Sequence, residues 1–262
     1  MRLWALVLLA TVLASAVALA EPRVPEVAPR ESGVQITRFV GQNKTLYNFR
    51  WTITRTEEEG KTLLRFEGHG DNDLQGKARI EWTERSLAEL TPGGLRSQYW
   101  KKDSRGAEQE SWLLKYDWAK RKAYYRYVDH LSGKQDRSTI EIGPDAMPAD
   151  WMYIMLRAFP FAKGRGYEQE GAFILTDGKV MDGAIVHRGE VRIKTAWGPM
   201  DCYKLELDPD GLTGVFAPSM YLYYTKTEPH LFVRFDGKDA GYFEDRTVNV
   251  LVGFEPAEWL GR

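Results

Sequence analysis

The stretch Pro148–Phe161, PADWMYIMLRAFPF, decides how the rest of the chain is read. Apolar residues cover most of its helical circumference: Trp151, Met152, Ile154, Met155, Leu156, Ala158 and Phe159. Asp150, Tyr153 and Arg157, spaced by three and four, form one polar stripe. A helix this apolar must be buried on most of its faces. Pro148 suits a first helical turn, Asp145 is a candidate N-cap, and Pro160 stops the helix. The expectation is one central apolar helix near residues 148–160, wrapped by whatever surrounds it.

What surrounds it reads as strands. In residues 44–55, Tyr47, Phe49, Trp51 and Ile53 alternate with Asn48, Arg50, Thr52 and Thr54, the period of two of a half-buried strand. Residues 33–40 and 62–68 flank it. Further strands are expected at 77–83, 95–101, 111–116, 122–129 and 138–142, with Pro92-Gly93-Gly94, residues 103–106 and Ser132-Gly133 as turns. After the helix, 172–176 and 179–187 flank Asp177-Gly178, a hairpin signal. Residues 190–195, 200–207, 215–225, 231–236, 240–244 and 247–254 complete the run. Short strands at this spacing form a meander that closes or half closes. The predicted fold is mainly β: a large curved antiparallel sheet, or open β-barrel, around the helix.

Residues 1–20 read as a signal peptide: Arg2, an uncharged apolar core over 3–17, and Ala18-Leu19-Ala20 as a small-x-small cleavage site. The protein is therefore expected to be exported, cut after Ala20, with no cysteine at the site to take a lipid and no transmembrane anchor left behind. Residues 21–32, with three prolines, read as an extended mobile leader. Residues 33–262 show no low-complexity linker and are read as a single β domain. Lys and Arg number 36 against 37 Asp and Glu, which gives no electrostatic reason to expect nucleic acid as a partner. Cys202 is the one cysteine, so no internal disulfide forms, and it reads as a small buried apolar residue.

Three stretches carry a resemblance. GAFILTDGKVMDGAIVHRGEVRIKT (171–195) runs into AWGPMDCYKLEL (196–207); YLYYTKTEPHLFVRFDG follows at 221–237, and WMYIMLR (151–157) precedes them. This order resembles the bacterial exported family called domain of unknown function 3108. Two places depart from the family's pattern, the Trp197-Gly198-Pro199 turn and the strand at 221–225. The resemblance implies a strongly curved antiparallel sheet around a helix, similar to the open barrels of periplasmic lipoprotein carriers of the LolA/LolB type. It implies a periplasmic location and transfers no catalytic residue.

No catalytic signature stands out. His69, His130, His187 and His230 lack metal-ligand spacing, and the acidic turn beginning at Gly68 lacks the distal glutamate of a calcium loop. No nucleophile elbow, phosphate loop or dinucleotide fingerprint is present. No cofactor or metal is expected, and an enzyme is the less favoured reading. The favoured one is a protein binding an apolar or amphipathic, lipid-like ligand in a half-barrel. Candidate ligand-binding residues are Tyr47, Phe49, Trp51, Trp151, Met155, Arg157 and Phe159. Arg157 has two readings, an ion pair to an acidic neighbour or a contact to a head group. The alternatives are an envelope carbohydrate-binding or carbohydrate-active protein, for which the aromatic content of 13% supplies stacking rings, and an assembly scaffold using an open sheet edge.

Overall fold

A computed structural model of the chain describes residues 24–41, 45–72, 78–209, 220–238 and 246–260. The proposed signal peptide and the strand expected at 240–244 lie outside the described residues. Eight strands precede the helical segment: β1 (Arg30–Phe39), β2 (Thr45–Glu58), β3 (Lys61–Asn72), β4 (Ile80–Thr91), β5 (Gly94–Gly106), β6 (Glu110–Asp117), β7 (Lys122–Asp129) and β8 (Gln135–Glu141). After the two-residue β9 (Met147–Pro148) and the helical segment come β10 (Glu168–Ile174), β11 (Val180–Thr195), β12 (Gly198–Pro209), β13 (Met220–Thr225), β14 (Phe232–Lys238) and β15 (Arg246–Glu255).

All belong to one open sheet, ordered β8-β7-β6-β5-β4-β3-β2-β1-β15-β14-β13-β12-β11-β10-β9. Neighbours pair antiparallel except β9 with β10, which makes the sheet mixed. The first and last strands meet in its middle, β1 along β15. The two edges, β8 and β9, are joined through residues 142–146. The chain therefore winds outward from the centre, crosses from edge to edge at residues 142–146, and winds back after the helical segment that follows β9.

The helical segment fixes the curvature. Trp151 and Ile154 pack with Trp51, Ile53, Leu64, Ala88 and Leu251 on one half of the sheet. Leu156 and Phe159 pack with Phe173, Ile185, Leu205, Leu222 and Phe232 on the other half. Met155 touches both clusters. A single sheet can clasp one short segment from two sides only by curling around it. The central location read from the apolar circumference thus holds, and both halves gain buried apolar area at about 25 cal/mol per Å².

The helix is shorter than expected. It is a 3-10 turn at Ala149–Trp151, one α turn, α1 (Met152–Met155), and a second 3-10 turn at Leu156–Ala158. A further 3-10 turn spans Phe161–Lys163. Asp145 is not its cap: Pro148 occupies that position, without a side-chain cap. The hydroxyl of Tyr224 donates to the Tyr153 carbonyl at 3.3 Å, a group that a regular α-helix would hold in its own ladder. Tertiary bonds have replaced helical ones.

Several strand boundaries also move. β1 starts at Arg30, inside the stretch read as a mobile leader, and Val27 and Ala28 are buried. β4 runs to Thr91, with the small residues Ser86 and Ala88 buried against the helical segment's side of the sheet. β11 continues through residues 187–190 by a bulge between His187 and Gly189. Cys202 is fully buried, and burial pushes its thiol pKa up to about 12.

Candidate ligand-binding face

Residues directly opposite on paired strands share a face. One row across the sheet is Phe254, Gly33, Trp51, Gly68, Glu84, Lys102, Trp112 and Tyr127, each facing the next. Trp51 lies in the cluster that holds Trp151, so this is the inner, concave face. The next row contains Phe49, Gly70, Trp82 and Ser104.

The rings on this face lie flat. A Cβ at Gly68 would fall on the Phe49 ring, and one at Gly70 on the Trp82 ring. These two glycines let the aromatics press against bare backbone, the device by which an aromatic shields a strand glycine. Phe49 and Trp82 are nearly parallel, 11° apart with centroids at 6.3 Å. Phe66 continues the floor at 6.1 Å from Phe49, and Trp51 follows at 6.4 Å from Phe66. Tyr47 meets the edge of Trp82 at 5.5 Å. At the far side Trp112 tilts against Tyr127 at 5.5 Å, and the Tyr127 hydroxyl donates to Glu110 at 2.5 Å.

This floor has a closed and an open end. Trp151 stands edge-on to Phe66 at 6.2 Å, and Trp51 is buried. Tyr47, Phe49, Trp82, Trp112 and Tyr127 remain half-buried, with Phe49 packed against the margin of the core cluster that holds Trp151. The Lys102 ammonium sits among them, 5.2 Å from the centroids of both Trp82 and Trp112. A cleft of about 770 Å³ overlaps this row at Phe254, Trp51, Gly68 and Glu84 and is also lined by Arg50, Glu67, Arg85 and Trp197. Its lining is as charged as it is apolar.

The seven candidate residues divide accordingly. Tyr47 and Phe49 stand on the open part of the floor, and Trp51 lines the cleft. Trp151 and Phe159 are sealed in the core, 1% and 3% exposed, and Met155 bridges the two clusters. Arg157 makes the ion pair. Its two terminal nitrogens reach the Glu31 carboxylate at 2.9 and 2.8 Å, and one also donates to the Glu26 carbonyl at 3.2 Å. Glu31 is fully buried and also accepts the Ala28 amide at 2.9 Å. The guanidinium is fastened to the N-terminal segment rather than offered to a head group.

Asp150 fastens the other end of the helical segment. Its carboxylate accepts from Ser86 at 2.7 Å, Ser97 at 2.9 Å and Tyr116 at 3.3 Å. Trp151 Nε1 donates to the Ser86 hydroxyl at 2.6 Å. Burial raises the Asp150 pKa to about 6, against the pull of those hydroxyls. Ser86 has one hydroxyl proton and two acceptors in reach, Asp150 and the Tyr99 carbonyl at 2.9 Å. A proton on Asp150 ends that competition. Tyr116 is pushed well above its ordinary pKa by burial and by Asp150.

Trp82, Lys102, Trp112 and Tyr127 were not singled out from the sequence. All sit in inward-facing strand positions, so alternation carried a signal; only the register showed that they meet. Among the described residues no three metal-ligating side chains converge, and no helix is long and apolar enough to cross a membrane.

A family model described as "Protein of unknown function (DUF3108)" matches residues 39–240. The chain belongs to that family. The DUF3108 match stops short of most of β1 and of β15, the two strands that pair at the centre of the sheet. No curated protein matches the chain. Among solved structures, the beta-barrel-like protein of domain of unknown function DUF1849 from Brucella abortus superposes with a TM-score of 0.51 at 7% identity, over 86% of this chain and 96% of that one. That likeness speaks to the fold alone. A protein described as exported with a YmcC-like fold, from Bacteroides fragilis, gives 0.40 at 9% identity over 88% and 98% of the two chains. A protein described as a lipoprotein, from Parabacteroides distasonis, gives 0.39 at 11% over 88% and 97%.

Proposed function

We propose that this DUF3108 protein is exported to the periplasm and binds an apolar or amphipathic ligand on the open end of its concave face. The observation that carries the reading is the contiguous run of half-buried aromatics, Tyr47, Phe49, Trp82, Trp112 and Tyr127, on the same face that is filled by the helical segment a few residues away. Apolar surface held inside a curved sheet, with a few polar groups at its margin, suits a ligand that is mostly hydrocarbon. The signal-peptide pattern of residues 1–20 supports the export. Native mass spectrometry of residues 21–262, purified from their own envelope and then extracted with organic solvent, tests the reading. A bound acyl species that leaves on extraction is the expected result. A clean mass that takes up no added lipid overturns it, and sugar stacking on the same rings becomes the reading to pursue.

A further inference from the structure

On the convex face of β4–β8 the charges are segregated. Side chains alternate along a strand, so the neighbours of the inward row of Glu84, Lys102, Trp112 and Tyr127 face outward. One outward row is Arg85, Lys101, Leu113, Arg126 and Arg137, each facing the next. The row beside it is Leu87, Tyr99, Lys115, Tyr124 and Thr139. These ten positions hold five cations and no carboxylate, in a chain whose formal net charge is -1. We propose that this basic face docks on a bilayer containing anionic phospholipid. The contact lies on the opposite side of the sheet from the aromatic floor and is independent of the apolar-ligand reading.

The first row sets like charges directly opposite each other twice, Arg85 with Lys101 and Arg126 with Arg137. Such pairs cost a sheet stability. Lys101 is offset by Asp103 at 2.7 Å, and Glu67, opposite Arg85 on β3, ends the patch. Among the described residues Lys115 and Arg126 have no ion pair, and the Arg137 guanidinium reaches only the Gln135 side chain, at 3.5 Å. Carboxylates at the margin are engaged elsewhere, Asp117 with Lys120 and Glu141 with Lys122. A repulsion kept in the fold without an internal counter-charge marks a place where function has overridden stability. The residues between the cations select the kind of anion. Tyr124 is 39% exposed, and Leu87, Tyr99 and Leu113 are half-buried. Tyrosine, apolar in its ring and wet at its hydroxyl, suits the head-group layer of a membrane, and arginine grips phosphate oxygens two at a time. Cations on adjacent strands, roughly 5 Å apart, form a spread array rather than a pocket, and an array matches a surface of many phosphates.

Co-sedimentation of the purified protein with vesicles tests the docking. Phosphatidylcholine vesicles with about one-third phosphatidylglycerol should carry the protein down at about 0.05 M salt and release it at about 0.5 M. Vesicles of phosphatidylcholine alone should not carry it down. Arg126→Gln/Arg137→Gln should weaken binding to the anionic vesicles roughly twentyfold, at about fivefold per cation. The same variant should melt no lower than the parent, because it removes a like-charge pair; a lower midpoint assigns the two arginines to the fold and overturns the proposal. Equal binding to the two kinds of vesicle, no binding to either, or binding that survives the double substitution also overturns it. So does tighter binding to soluble polyglutamate than to the anionic vesicles, which gives the face to an acidic protein instead. None of these outcomes touches the apolar-ligand reading, whose residues lie on the other face.

Discussion

The two ends of the aromatic floor differ in what covers them. Around Trp51 the helical segment closes over the ring, with Trp151 edge-on to the half-buried Phe66, and the result is packed protein interior. At Phe49, Tyr47 and Trp82 the same strands, with the same alternation, leave their rings half-open. The difference does not come from the strands. It comes from how far one short segment reaches, and that reach is set by two fasteners. Arg157 and Glu31 tie its C-terminal side to the start of β1, and Asp150 ties its N-terminal side to β4, β5 and β6. The filled end stabilises the fold; the open end leaves half-buried rings on the concave face, where the proposed ligand would lie.

The sharpest way to break this contrast is to unfasten the filled end. Arg157→Met leaves the Glu31 carboxylate buried with no counter-charge and should cost about 3–5 kcal/mol of unfolding free energy, with much of it recovered in Arg157→Met/Glu31→Leu. Denaturant titration of the single and double variants checks it; a single variant as stable as the parent would show the pair is not a fastener. Next in size is core truncation. Leu64→Ala, at a fully buried position beside Trp151, should cost about 2–5 kcal/mol. Phe49→Ala at the open end should cost clearly less. Equal losses at the two sites erase the distinction between filled and open.

The pH response follows at about 2 kcal/mol. Asp150 holds its proton more tightly in the folded protein, at a pKa of about 6, than an ordinary carboxyl near 4. Its contribution is therefore fully present below about pH 4 and is lost as pH rises through about 6. Asp150→Asn should flatten this window, and unfolding curves at pH 4.5 and 7.5 measure it. An unchanged difference between the two pH values in the variant would assign the effect elsewhere. The smallest expected stability effect is that of Trp82→Leu, under about 1.5 kcal/mol because the ring is half-exposed. On the proposed reading, affinity for pyrene-labelled dodecanoic acid should nonetheless fall at least fivefold in a fluorescence titration.

Much of the architecture was legible because it depends on periodicity. The alternation of Tyr47, Phe49, Trp51 and Ile53 places β2 without reference to anything distant, and β7 falls on 122–129 as expected. β4 was only partly visible, since Glu84–Thr91 has small inward residues that read as indifferent until the segment they accommodate is in place. The helix length was overestimated for a related reason. Its apolar circumference correctly indicates burial, but the carbonyl and side-chain bonds to Tyr224, Ser86 and Ser97 that break its regularity come from strands many residues away. The polar stripe of Asp150, Tyr153 and Arg157 was visible as a pattern, yet no spacing rule says that Asp150 meets three hydroxyls, that Tyr153 stacks on Phe232 at 4.2 Å, or that Arg157 finds Glu31.

The sequence by itself determined a β-rich chain around one apolar segment, because strand alternation and helical circumference are local properties of side-chain direction. Only the tertiary structure separates the aromatics that are core from those that are half-exposed, and pairs Arg157 with Glu31. Those outcomes depend on strand register and on contacts between residues as far apart as Glu31 and Arg157, and local periodicity carries no information about either.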